Sequence, residues 1–108
     1  MAHPTRIMYV EQKTGLGGGP AWIGRVRFSK TGRTVYYRGL TLRRVAGKNW
    51  DGGNYVDMVT GDSYWVSGVH KDGQDRHPVE WQGPVEVDPD VLDEYRAMVR
   101  PEVAARVK

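Results

Sequence analysis

Cysteine is absent from the 108 residues, so the chain has no disulfide framework, no cysteine-ligated zinc site and no thiol nucleophile. Long apolar runs are absent too: no stretch approaches the roughly 20 apolar residues that span a bilayer, and the first residues lack the apolar segment of a signal peptide. We therefore expect a soluble, cytoplasmic protein with no membrane contact and no cofactor. This length suits a single domain and leaves no room for a large cofactor-binding domain.

Acidic residues are scarce in the first half of the chain. Residues 1–50 carry ten Lys or Arg and a single acid, Glu11, whereas residues 51–108 carry six bases and twelve acids, so the net charge of +3 hides two opposite halves. Such asymmetry indicates either a nucleic-acid or acidic-protein partner for the first half, or mutual neutralisation of the two halves within the fold. Composition alone favours neither alternative.

Short apolar and aromatic runs alternate with turn signals, a pattern typical of a small all-β unit. We predict strands at 5–12, 21–29, 33–38, 40–45, 54–59, 63–67 and 84–87. Gly32 and Gly61 mark two hairpins with the same turn chemistry, because glycine accepts a left-handed backbone without strain. The aromatic residues at strand positions are expected to fill the core: Trp22, Phe28, Tyr36, Tyr55, Tyr64 and Trp65.

One helix is predicted near the C-terminal end of the sequence, at about 89–99. Asp88 suits its N-cap and Pro89 its first position, Pro101 ends it, and apolar residues at 91, 92, 95, 98 and 99 form one stripe. The predicted fold is mainly β (α+β), a small, strongly bent antiparallel sheet or a partly open SH3-like or OB-like barrel with one C-terminal α-helix. We expect one domain over 1–108, with the β core at about 5–87 and a tail at 100–108.

A basic face on the first hairpin is the leading candidate site. If the loop between the hairpin strands has three residues, Arg27 lies opposite Val35 and Arg25 opposite Tyr37, so that Arg25, Arg27, Arg33 and Tyr37 share one face. Guanidinium groups around an aromatic ring suit phosphate contacts and base stacking. Further bases could extend this face: Arg43, Arg44 and Lys48. The alternative is a solvated sheet face whose arginine stems cover apolar neighbours.

Two further groups of residues suggest other functions. Trp50 and Trp81 lie in predicted loops, where tryptophan serves either as a partner anchor or as a lid over the core edge. His70, Asp75 and His77 could act as acid, base or metal ligands, but their spacing matches neither a calcium loop nor a zinc-binding helix. We therefore expect a structural turn there, with no catalytic residue and no metal.

Several segments resemble a family of short bacterial proteins of about this length. The resemblance runs from Ile7 to Tyr95 and is carried by residues 55–57, 60–68, 71–76 and 85–88 (Tyr-Val-Asp, Thr-Gly-Asp-Ser-Tyr-Trp-Val-Ser-Gly, Lys-Asp-Gly-Gln-Asp-Arg and Val-Glu-Val-Asp). It implies no particular catalytic or binding residues. Some members carry the label 1-deoxy-D-xylulose-5-phosphate synthase, a thiamine-diphosphate enzyme. We do not expect that activity, because the large α/β domains and the Gly-Asp-Gly motif with its downstream Asn are missing.

The sequence thus predicts a non-enzymatic binding module, with RNA as the first partner class. A protein-interaction domain anchored by Trp50 or Trp81 is the alternative, and a small enzyme using His70, Asp75 and His77 is the third hypothesis. The sequence leaves the strand order and the oligomeric state open.

Overall fold

The fold is taken from a computed structural model that describes residues 4–13, 18–47, 53–71 and 85–105. Its strands are β1 (Thr5–Lys13), β2 (Gly18–Phe28), β3 (Thr34–Tyr37), β4 (Leu40–Arg44), β5 (Tyr55–Asp57), β6 (Ser63–Gly68) and β7 (Val85–Val87). A 3-10 turn (Pro89–Val91) leads into helix α1 (Leu92–Met98), and a second short helix, α2 (Pro101–Ala104), begins at the proline that was expected to end the first. Every predicted strand is present, with its ends displaced by at most three residues.

Strands β1 to β6 form a closed antiparallel barrel. Each strand pairs with the next one along the chain, and β1 closes the ring because it pairs with both β2 and β6. The predicted mainly β fold, a small antiparallel barrel with a C-terminal helix, is therefore confirmed, although the ring is closed and not partly open. The up-and-down order supplies the topology that the sequence left open. Strand β7 adds outside the ring, parallel to β2.

Apolar side chains form two separate clusters, one inside the barrel and one outside it. The inner cluster centres on residues with no solvent exposure: Val10, Val26, Val35 and Leu42. The outer cluster joins β1 and β2 to the helical segment: Ile7, Tyr9, Ala21, Ile23, Val91, Tyr95, Val99 and Val103. Among the described residues, β3, β4 and β5 contribute nothing to the outer cluster. The helices therefore cover one side of the barrel, and the described part of the outer cluster does not extend over the outer face of β3 to β5.

The aromatic residues divide between these clusters. Tyr55 and Tyr64 are buried inside the barrel, and Trp22 and Phe28 pack against the same inner cluster. Trp65 packs outside, against the outer cluster. The expectation that Tyr36 fills the core is wrong, because Tyr36 belongs to neither cluster and faces outward.

The predicted stripe on the helical segment is buried only in part. Val91, Tyr95 and Val99 are buried, whereas Met98 is 40% exposed. In the part of the chain that the structure describes, no helix has the length and apolar character needed to cross a membrane.

Candidate nucleic-acid interface

The pairing of β2 with β3 decides which side chains share the predicted basic face. The expected register, with Arg27 opposite Val35 and Arg25 opposite Tyr37, is wrong: Arg27 lies opposite Tyr36. A shift of one residue moves every side chain of a strand to the other face of the sheet. Tyr36 therefore stands beside Arg27 on the outside, and Tyr37 points into the barrel, where it is 4% exposed.

The cause of the shift is one extra residue in the hairpin loop. The Ser29 N–H donates to the Thr34 carbonyl at 2.8 Å, so the loop spans residues 30–33 and includes Arg33. Within it the Gly32 N–H donates to the Ser29 carbonyl at 2.9 Å, and Gly32 has φ of 76°. Loops of this length are commonly built around such a turn. The glycine prediction is confirmed, but the loop that it closes is longer than expected.

Two arginines and a tyrosine stand on the outer face of β2, β3 and β4, and we call these three residues the basic wall: Arg27, Tyr36 and Arg43. The guanidinium carbon of Arg27 lies 4.5 Å from the centroid of the Tyr36 ring, within the range of a cation–π contact. Arg43 is exposed on β4, opposite Thr34 of β3. The wall therefore presents exposed guanidinium groups around a half-buried aromatic ring.

Arg33 and Arg44 meet at one end of the barrel, next to the wall. The Arg44 N–H donates to the Arg33 carbonyl at 2.8 Å, and both side chains are exposed. The structure therefore places Arg33, in the loop before β3, next to the end of β4, which carries Arg43 and Arg44.

Acids of the second half reach some arginines and not others. The Arg25 guanidinium forms an ion pair with the Glu94 carboxylate of α1, and Arg38 forms one with Asp88 at 3.1 Å. Among the described residues, no acid forms an ion pair with the remaining predicted arginines: Arg27, Arg33, Arg43 and Arg44. Among the described residues, the ion pairs between the two charged halves therefore lie beside β7 and α1.

Asp88 has a different role from the one that the sequence indicates. It stands at the N-cap position, but its side chain makes no capping hydrogen bond. Its carboxylate instead accepts hydrogen bonds from the Tyr37 hydroxyl at 2.6 Å and from Arg38 at 3.1 Å. Burial and this carboxylate raise the pKa of Tyr37 above its ordinary value of 10.0. Tyr37 therefore joins the barrel to the helical segment and is not part of an arginine surface.

Gly24 makes this buried contact possible. A Cβ atom at Gly24 would lie 2.3 Å from the Asp88 Oδ2 atom and 2.6 Å from the Tyr37 ring, so no larger residue fits without displacing them. In a strand, glycine often marks such a close approach.

Like Gly24, Arg38 lies next to Asp88 in a role that no sequence motif indicates. It has φ of 50°, and with Gly39 at 79° it forms the tight turn between β3 and β4. A non-glycine residue seldom adopts this conformation. Its guanidinium carbon lies 5.3 Å from the Trp22 ring centroid, and the group also pairs with Asp88. The Arg-Gly pair between two strands was the available signal for the turn, but the side-chain contacts depend on distant residues.

Several predicted residues lie outside the described residues: Lys48, Trp50, Asp75, His77 and Trp81. His70 follows β6 and is exposed. Among residues 4–13, 18–47, 53–71 and 85–105, no group of three or more His, Cys, Asp or Glu side chains is placed to hold a metal ion.

Comparisons with protein-family models, with curated proteins and with solved structures found no match. The resemblance to short bacterial proteins therefore stays a prediction.

Proposed function

We propose that this protein is a cytoplasmic, non-enzymatic module that binds nucleic acid, and RNA in particular, through the basic wall and the adjoining Arg33 and Arg44. One observation carries the proposal: these arginines are exposed and have no acid partner among the described residues, while Arg25 and Arg38 in the same fold do. An arginine surface without internal ion pairs is available to an external anion.

The chemistry of the wall fits RNA well. Guanidinium groups bind phosphate through two parallel hydrogen bonds and also stack on planar rings. Unpaired RNA bases stack on aromatic side chains and on arginine planes, and the contact between Arg27 and Tyr36 presents both surfaces at one place. A carboxylate-rich protein would use the charge of the wall but not its stacking surface, and so RNA is the favoured partner.

The test is a titration of labelled RNA with the wild-type protein and with the double variant Arg27→Gln, Arg43→Gln. The variant should bind RNA roughly tenfold more weakly at low salt, and the slope of log affinity against log salt should become shallower by about 0.7 for each phosphate that is no longer neutralised. The matched control is Arg96→Gln, which removes a positive charge from α1 on the covered side of the barrel.

If the double variant and Arg96→Gln lose the same RNA affinity for each positive charge removed, the loss comes from net charge alone. That result would exclude the wall as the binding surface. Absence of binding to any RNA or DNA at low salt would overturn the proposal. A protein that is still captured after nuclease treatment, and lost in the Arg27→Gln, Arg43→Gln variant, would replace RNA by an acidic protein partner.

A further inference from the structure

Four basic residues stand at the same end of the barrel, and we call them the basic rim: Arg6, Lys30, Arg33 and Arg44. Arg6 lies opposite Val26 near the start of β1, at the end where β2 turns into β3. Arg33 and Arg44 join across the neighbouring hairpin at this end, and all four side chains are exposed. The rim therefore runs over the ends of four consecutive strands, β1 to β4.

Arg6 and Arg44 lie at the rim because of strand alternation. Met8 and Leu42 are buried inside the barrel, and Arg6 and Arg44 stand two residues away from them, on the inward-facing rows of the same strands. Since both arginines are exposed, their side chains do not fill the barrel, and we place them at its end. The rim thus faces along the barrel axis, whereas the wall faces sideways.

The described acids form no ion pairs with the basic rim. Glu94 lines a groove together with Arg6 and Arg25, but its carboxylate is the partner of Arg25. Among the described residues, exposed bases therefore follow one another from the wall, past Arg33, to the rim.

We propose that the RNA bound by this protein is single-stranded and bends from the basic wall onto the basic rim, with Arg6 and Lys30 as additional phosphate-binding residues. This inference rests on the proposed function and names the form of its ligand. Wall and rim meet at Arg33, where the surface turns from the side of the barrel to its end. A ligand that contacts both must bend within a few nucleotides.

Stiffness distinguishes single strands from duplexes on such a surface. Duplex DNA stays straight over about 150 base pairs, far beyond the 40 Å longest extent of this protein, and duplex RNA is a comparably regular rod. A rod resting on the wall cannot also follow the rim. A single strand can bend around the corner, and its unpaired bases can stack at Tyr36.

The experiment compares single-stranded and duplex RNA of the same sequence, about 12 nucleotides long, which lies within the site sizes of small barrel domains. Three proteins are titrated over a range of salt: wild type, the rim variant Arg6→Gln, Lys30→Gln and the wall variant Arg27→Gln, Arg43→Gln. Wild type should prefer the single strand. The rim variant should bind the single strand roughly tenfold more weakly than wild type, and its slope of log affinity against log salt should be shallower by about 1.4. Its affinity for the duplex should equal that of wild type.

The outcomes separate this inference from the proposed function. If the wall variant weakens RNA binding and the rim variant does not, the inference is overturned and the proposed function stands. Equal affinity of the wild type for single-stranded and duplex RNA would also overturn the inference and leave the proposed function standing. If wild type binds neither form, both proposals fail. Circular dichroism and thermal unfolding of each variant confirm that the exposed substitutions leave the fold intact.

Discussion

Arginines on the two sides of this barrel have different surroundings. On the side that β7 and α1 cover, Arg25 meets Glu94 and Arg38 meets the buried carboxylate of Asp88. On the uncovered side, Arg27 and Arg43 are exposed and form no ion pair among the described residues. In the described part of the chain, the acids of the second half thus neutralise the arginines next to β7 and α1 and not those of the wall.

The difference shows how two opposite charge halves can share one small domain. The outer apolar cluster holds the helical segment against β1 and β2. Because that packing fixes the position of α1, the carboxylates of α1 cannot reach β4, on the other side of the barrel. Apolar burial of residues such as Val91 and Tyr95 therefore decides which arginines stay available, although neither side chain carries charge.

The covered side should respond most strongly to loss of its buried carboxylate. Asp88→Ala leaves the Tyr37 hydroxyl buried without an acceptor and Arg38 without its acid, so we expect the free energy of unfolding to fall by about 3 kcal/mol. Chemical denaturation at neutral pH measures the loss. The control is Asp90→Ala, which removes a nearby exposed carboxylate and should change stability by less than about 0.5 kcal/mol.

A loss as small in Asp88→Ala as in Asp90→Ala would contradict the stabilising role of the buried carboxylate, because Asp88 would then contribute no more than a surface acid. RNA affinity provides the other half of this comparison. Asp88→Ala should leave it unchanged under folding conditions, since Asp88 lies at neither wall nor rim.

The strands could be predicted from the sequence, while the face that they present could not. Alternation along β2 is enough to put Val26 and Arg27 on opposite faces of the sheet, because that pattern is local to one strand. The residue opposite Arg27 depends on whether Arg33 ends the loop or begins the strand. One residue of difference places Tyr36, and not Tyr37, on the same face as Arg27. Turn chemistry at Gly32 is compatible with both loop lengths.

Asp88 illustrates a second limit. Its position before Pro89 is a good local signal for a helix cap, and the helical segment does begin there. Its hydrogen-bond partner is Tyr37, 51 residues earlier in the chain, and a local pattern carries no information about a contact at that distance. Gly24 likewise carries no local signal, because the need for glycine there comes from the close approach of Asp88.

The covered side should also be recognisable by its response to alkali. The pKa of Tyr37 in the folded protein is raised above 10.0, so the unfolded chain loses this proton first as the pH rises. The stability that depends on it is complete below about pH 10 and falls above that pH by about 1.4 kcal/mol per unit. Tyr37→Phe should therefore flatten the decline of stability between about pH 10 and 11, measured by denaturant titration.

Some decline should remain in Tyr37→Phe, because burial and Asp57 also raise the pKa of Tyr64. The double variant Tyr37→Phe, Tyr64→Phe should be flatter still. Identical slopes for wild type and Tyr37→Phe would mean that Tyr37 ionises as easily in the folded protein as in the unfolded chain, against the geometry of its contact with Asp88.

The smallest expected effect concerns the boundary between the two sides, where Glu94 neutralises Arg25 next to the wall. Glu94→Gln releases that guanidinium, and we expect RNA affinity to rise about twofold, with a slightly steeper salt dependence. Stability should change by less than about 1 kcal/mol, because the ion pair is partly exposed. Asp93→Asn is the matched control: it makes the same charge change one residue earlier on α1, where the carboxylate faces Arg96. A rise confined to Glu94→Gln would extend the RNA-binding surface to Arg25, whereas equal rises in both variants would show that only the net charge of the protein had acted.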